Sequence, residues 1–356
     1  MKKLLIVLFA SILLVSCNSV DSDKKSEQNR SKSVSITAAG ATFPLPFYNL
    51  AFKNYTKKTG ILLTYGGIGS GGGIRSLKDK VVDFGATDAF LNDKKEAAMP
   101  AEIVHIPTCV GAVVIAYNLP EVGSLRLSNK NLEDIFMGKI TRWNDVELKK
   151  SNPNTSLPDM EITVVHRSDG SGTTYIFSDF MSKIGEHWKE KVGRGKSLKW
   201  PVGLGAKGNP GVAGTIKQTI GAVGYIGSEF AFAQKIAFAQ VENSAGKYVT
   251  PNLESISAAA QGNIPADTKV MLTNSSDPNS YPISGFTWMI LYKEQKYDNR
   301  SKAQAEEMLN FLSWIIQKDA QAIAQQVNYA PLSENVKVKA KEILKSVVYD
   351  GKPLLK

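Results

Sequence analysis

The chain has 356 residues, 43% of them hydrophobic and 21% charged, which suits one large or two ordinary globular domains and excludes a wholly disordered chain. Its formal net charge is +10, so nucleic acid, an anionic membrane surface or a small anion would be drawn to it. No Lys/Arg block interleaved with aromatics occurs, which argues against nucleic acid, and the 3 histidines have no metal-ligand spacing.

The first sixteen residues read as an export signal, because Lys2-Lys3 precede an apolar run from Leu4 to Val15 that is too short to span a bilayer. The run closes in Leu14-Val15-Ser16-Cys17, which resembles the lipobox of bacterial lipoproteins, where the cysteine is lipidated and becomes the first mature residue. Residues 17–33 then form a lipidated Cys17 and a flexible tether rich in Ser, Asp, Lys, Asn and Gln, with a reach on the order of 20 Å. Without Lys2 and Lys3 the chain keeps 41 basic against 33 acidic residues, a net charge of +8, and an exported lipoprotein of that charge is suited to steering anions. Acylation of Cys17 leaves Cys109 without a partner, as a small core residue.

Val34–Ala39 predicts a first strand, followed by Gly40-Ala41-Thr42-Phe43-Pro44 and a helix. Phe47, Leu50, Ala51 and Tyr55 share a face of that helix, Pro44 suits its first turn, and Gly60 is placed to end it. Ile61–Tyr65 predicts a second strand, leading through the glycine run 66–73 into a short helix with Ile74 and Leu77. Gly67, Gly69 and Gly72 spell a G-x-G-x-x-G with Asp88 downstream, yet the helix is about two turns long and the exported context lacks nicotinamide cofactors, so the dinucleotide reading is rejected. A second match at Gly203, Gly205 and Gly208 runs into Asn209-Pro210-Gly211, which reads as a loop. Gly195-Lys196-Ser197 looks like the end of a P-loop, but Glu190 stands where its first glycine belongs.

Val81–Gly85 predicts a third strand, and Asp88 follows its end, where open α/β sheets place ligand contacts. Leu132–Trp143 reads as a helix, with Trp143 and Trp200 as packing residues. Glu161–His166 is a β-branched strand, and Tyr175, Ile176, Phe180 and Met181 are spaced as a helical face. Between them Arg167-Ser168-Asp169-Gly170-Ser171-Gly172-Thr173-Thr174 gathers a fixed cation, hydroxyls and a helix start, an arrangement that favours an oxyanion; an ordinary N-cap with a solvated arginine is the alternative. A carboxylate such as Asp88 among these donors makes sense if the anion still carries a proton, because an ionised carboxylate only accepts. Leu309, Leu312, Ile315 and Ile316 form a C-terminal helical stripe.

Gly40–Pro44, Tyr65–Ser70, Val82–Asp88, Ile135–Trp143, Arg167–Thr173, Lys199–Gly205 and Gly221–Tyr225 together resemble the periplasmic phosphate-binding protein of the bacterial phosphate ABC importer, nearly end to end. The resemblance implies an α/β, two-lobed periplasmic binding protein fold (type II), with a ligand cleft between lobes joined by a two-strand hinge. Lobe 1 is then 34–115 plus 286–356 and lobe 2 is 116–285, with crossings near Val113–Asn118 and Tyr281–Thr287 and the C-terminal stripe packed on lobe 1. It implies that Thr42, Phe43, Ser70, Asp88, Arg167, Ser171, Gly172 and Thr173 hold phosphate while Asp169 orients Arg167. Gly71 stands where the family often has a second serine. The expected partners are inorganic phosphate, the inner-membrane permease subunits and the membrane through Cys17, for a monomer outside the cytoplasmic membrane with no cofactor, no metal and no enzyme activity. An exported phosphatase and a binder of another oxyanion are the alternatives. Against the first, Asp169 occupies the first glycine position of a G-x-S-x-G around Ser171.

Overall fold

The computed structural model describes residues 34–355; the export signal, Cys17 and the tether lie outside the described residues. In chain order the elements that build the site are β1 (Ser35–Gly40), α1 (Leu45–Thr59), β2 (Leu62–Gly67), α2 (Ser70–Lys78), β3 (Phe84–Thr87), β4 (Ile103–Tyr117) and α3 (Asn129–Phe136). They continue with β5 (Thr163–Arg167), α4 (Gly172–Ile184), β6 (Leu204–Ala206), α5 (Gly208–Gln218), β7 (Ala222–Gly227), α6 (Ser228–Gln234), β8 (Ala237–Phe238), β9 (Ser284–Tyr292) and α7 (Lys302–Ile315).

These nine strands form one curled sheet in the order β2-β1-β3-β9-β4-β7-β5-β6, with β8 paired to the end of β4. β1, β2 and β3 are parallel to one another, as are β5, β6 and β7. The fifteen residues of β4 are all buried and stitch the two parallel sets together. Residues Ile103–Ala112 pair antiparallel with β9, and from Val113 the strand pairs antiparallel with β7 instead. Cys109 lies in this strand, fully buried. The arrangement matches the two-lobed α/β fold that the sequence motifs imply.

Several elements differ from their sequence expectation for identifiable reasons. α1 buries Phe47, Tyr48, Ala51, Phe52 and Tyr55, while Leu50 is 37% exposed. The i, i+4, i+7 set Tyr48, Phe52 and Tyr55 carries more apolar area than Leu50, so the helix turns to cover it. Pro44 caps α1 rather than entering it, and the chain leaves the helix at Gly60 with φ 77°. β3 begins at Phe84, because Val81 is 67% exposed and Asp83 spends its carboxylate on the Thr37 N–H (2.7 Å) and on Arg300.

α3 spans Asn129–Phe136 rather than Leu132–Trp143. A capping box between Ser128 and Asn131 starts it early, and Gly138 at φ 74° stops it. Trp143 lies beyond it in the core, donating Nε1–H to Gly221 O at 3.0 Å. The stretch Gly208-Asn209-Pro210-Gly211 opens the eleven-residue α5 and is not a loop. A proline in the first turn gives up an N–H that the helix does not use, so Pro210 favours this helix start. Leu309, Leu312, Ile315 and Ile316 are buried, and Phe311 of α7 packs edge-on to Phe52 at 4.8 Å, beside β1 and β3.

Candidate functional site

Parallel strands in an open sheet direct their carboxyl ends, and the helices that follow, to one edge. Here Thr42 follows β1, Ser70 opens α2 after β2, Asp88 follows β3, Arg167 ends β5, Gly208 opens α5 after β6 and Gly227 ends β7. The two sets of ends meet. Gly71 N–H donates to Gly170 O at 2.8 Å, Gly172 N–H donates to Ser70 Oγ at 3.0 Å, and the Asn209 N–H donates to Thr42 Oγ1 at 3.1 Å. Thr42, Phe43, Ser70, Asp88, Arg167, Ser171, Gly172 and Thr173 are all buried at this junction, with Asp169 half-buried beside them.

The hydroxyls of the site have their acceptor sides occupied by N–H groups. Thr42 Oγ1 accepts from both the backbone N–H and the Nδ2–H of Asn209, each at 3.1 Å. Thr173 Oγ1 accepts from Asn209 Nδ2 at 3.0 Å and from Arg167 Nη1 at 3.3 Å. Ser171 Oγ caps α4 by accepting the Thr174 N–H at 3.0 Å, so the N-cap role and a ligand role coexist in one residue. A hydroxyl that already accepts in this way turns its own proton outward as a donor. Asn209 orients two of them, and the Gly227 N–H on its Oδ1 at 3.0 Å fixes the amide's sense. The sequence reading passed over Asn209, whose signal was Asn-Pro at a helix start.

Arg167 presents Nε to Asp169 Oδ1 at 2.7 Å and Nη2 to Asp169 Oδ2 at 2.5 Å. Its five N–H groups exceed these bonds and the one to Thr173, so donors remain for a ligand. Asp169 also accepts the Gly208 N–H at 2.9 Å. Burial alone would raise its carboxyl, but the Arg167 guanidinium and these bonds hold it below the usual carboxylate range. The Arg167 N–H in turn donates to Tyr225 Oη at 3.1 Å, and Tyr225 Oη is 2.7 Å from Thr174 Oγ1, which ties the loop to β7.

Asp88 is the counterpoint. It is 1% exposed, accepts from Thr287 Oγ1 at 2.7 Å on one oxygen and makes a long 3.4 Å contact to Ser70 Oγ with the other. Burial pushes its carboxyl up to about 7, with the Thr287 bond, the Arg167 charge, the Ser70 bond and the Lys196 charge pulling the other way. Thr287, on β9, carried no sequence signal. Gly172 lets the carboxylate come this close: a Cβ there would stand 2.4 Å from Asp88 Oδ2 and 2.5 Å from Ser70 Oγ. Gly71 contributes its backbone to the cross-cleft bond rather than a side chain.

The other conspicuous feature is an open cavity of about 590 Å³ lined by Glu96, Glu102, His105, Asp267 and Lys269. Its polar groups answer one another, with Glu96 3.1 Å from Lys269 and 3.4 Å from the His105 ring, which burial keeps neutral. Unlike the strand-end junction, it gathers no set of convergent donors.

The PBP superfamily domain matches residues 25–319. The phosphate-binding protein PstS of Pasteurella multocida is 40% identical over 326 residues, covering 90% of this chain and 93% of that protein. The PstS of Haemophilus influenzae is also 40% identical, over 85% of this chain and 90% of its own length. Among solved structures, a high-affinity periplasmic phosphate-binding protein bound with phosphate shares the fold at a TM-score of 0.68 and 22% identity, over 86% of this chain and 93% of that one. With the strand ends so arranged and relatives of this similarity along most of its length, the chain belongs to the PBP superfamily, within the PstS phosphate-binding proteins.

Proposed function

We propose that the protein binds inorganic phosphate at the junction of Thr42, Phe43, Ser70, Asp88, Arg167, Ser171, Gly172 and Thr173, with Asp169 orienting Arg167, and delivers it to the permease of an ABC importer. The carrying observation is the pattern of donors and acceptors. Hydroxyls committed to donating, an arginine with free N–H groups and a helix start face one acceptor, Asp88, and a tetrahedral oxyanion bearing one proton satisfies that pattern. Sulfate has no proton to give Asp88 at neutral pH. As a phosphatase the site would need a base on Ser171, whose Oγ instead accepts the Thr174 N–H.

The cleft reading divides the chain into lobe 1, 34–115 plus 286–356, and lobe 2, 116–285, with β4 and the approach to β9 as the two-strand hinge, since β4 exchanges partners between Ala112 and Val113. The lipobox-like Leu14–Cys17 supports a membrane-anchored lipoprotein outside the cytoplasmic membrane, acting as a monomer. Calorimetric titration with phosphate, sulfate and glucose phosphate tests the binding reading. Phosphate should bind alone among the three, because sulfate brings no proton for Asp88 and a closed junction leaves no room for the ester carbon of glucose phosphate. Equal binding of glucose phosphate would overturn it.

A further inference from the structure

Lys196 lies between α4 and β6, and its backbone is strapped to the anion loop by the Ser171 N–H, which donates to Lys196 O at 2.8 Å. Its stem is half-buried, but Nζ is buried and has no hydrogen-bond partner among the described residues. Nζ stands 5.9 Å from the centroid of the Tyr175 ring, on its own side of the cleft. From the other side, Asp88, His105 and Lys95 lie within reach of its charge. An ammonium has three donors and no acceptor, and burying it without one is costly. What the position lacks is an anion.

The charge balance of the site says the same. Arg167 is already neutralised by Asp169, and Asp88, in the ionised form that accepts the ligand's proton, adds a negative charge. Without Lys196 the side chains around the ligand would be net negative before a divalent anion entered. We propose that the Lys196 ammonium is a further specificity-determining group of the proposed phosphate site, a second cation that favours the doubly charged ligand over the singly charged one. The inference rests on the phosphate reading above.

Burial and then Lys95 press this lysine down to about 7, with Asp88 pulling it back up. A dianion beside it supplies the missing counter-charge and keeps it protonated. The Gly195-Lys196-Ser197 echo of a P-loop thus has a physical counterpart, a lysine that serves as a point charge rather than a bidentate fork.

The test is calorimetry of phosphate against wild type, Lys196→Met and Lys196→Arg at pH 8 and at pH 5, where the ligand carries one negative charge fewer. At pH 8 the Met variant should bind about tenfold more weakly, the scale of one charge-assisted contact. At pH 5 the loss should shrink to about threefold, since the Coulomb energy scales with ligand charge. Lys196→Arg should stay near wild type at both. Lys95 and Tyr175, the latter with Arg194 and Asp179 near it, are present in every variant, but Asp88 and His105 feel the Lys196 charge directly, so the same comparison is repeated in an Asp88→Asn background, where the larger loss at pH 8 must persist. An equal loss at the two pH values, or none, would reduce Lys196 to a stem packed on Tyr175. If Lys196→Met fails to fold, Lys196→Gln carries the same comparison. Absence of phosphate binding by the wild type would strike the site reading itself, not the lysine.

Discussion

Asp88 differs from the other residues of the site in kind, because it accepts where they donate. Thr287 holds one of its oxygens at 2.7 Å, so the other faces Ser70 and Gly172. If this oxygen discriminates protonated phosphate from sulfate, Asp88→Asn supplies an N–H in its place and should raise sulfate affinity. Phosphate should weaken by about 1 to 2 kcal/mol, the scale of one buried hydrogen bond to a charged group, and by less if the amide turns its oxygen to the P–OH. Competition of sulfate against phosphate reads the ratio directly. An unchanged ratio would move discrimination to Asp169 or to the backbone of the Ser171 loop.

At the scale of elements, the site is made where two helix starts face each other. The first turn of α4 meets the first turn of α2, and Gly172 lies at the closest point. Gly172→Ala tests this closest approach, since Gly172 is the first residue of α4, where the helix-interior preference for alanine counts for little. Its methyl would collide with Asp88 and Ser70. Because Asp88 and Ser70 already stand this close in the structure, the variant should lose about 1 to 3 kcal/mol of phosphate affinity, the usual cost of overpacking, and its melting temperature without ligand should not rise. Wild-type affinity in this variant would show that the junction need not close to bind.

The same elements explain what could be read in advance. Arg167, Ser171 and Thr173 lie in one eight-residue stretch, and Asp88 and Ser70 each follow a strand with a clear apolar pattern, so local sequence announces them. Asn209 and Thr287 are brought to the site from 36 and 199 residues away. Their importance comes from partners that only the fold supplies. From sequence α5 reads as a loop because Asn-Pro-Gly is turn chemistry until Pro210 is placed in a first turn, and α3 reads too long because apolar residues continue past the glycine that ends it.

On the scale of the whole molecule, the two sides of the cleft also meet behind the site, around Glu229 of α6. Its Oε1 accepts from Ser228 Oγ at 3.0 Å, Oε2 has no partner among the described residues, and a Cβ on Gly227 would contact both Oε2 and Phe43. Phe43 is held from its own side by Tyr329, whose hydroxyl donates to Phe43 O at 2.5 Å. Burial raises the Glu229 carboxyl to about 8, against the bonds from its own backbone and Ser228, while the Asp88 charge adds to the rise. Because the folded value lies above the ordinary 4.5, the folded chain keeps a proton that the unfolded chain has lost between those two pH values. The contribution to stability is therefore present in acid and lost as pH rises towards 8. Asp88 acts in the same sense up to about 7, while His105, lowered to about 3 chiefly by burial, opposes both below its ordinary 6.5. The raw pH profile mixes these groups, so the informative quantity is a difference between proteins. Glu229→Gln keeps the shape and removes the titration. Relative to wild type it should gain stability from pH 5 to pH 8 at up to about 1.4 kcal/mol per pH unit, measured by denaturant unfolding without phosphate. A difference that stays flat across that range would mean that Glu229 is ionised in the folded protein, and that the junction behind the site carries a buried negative charge at neutral pH.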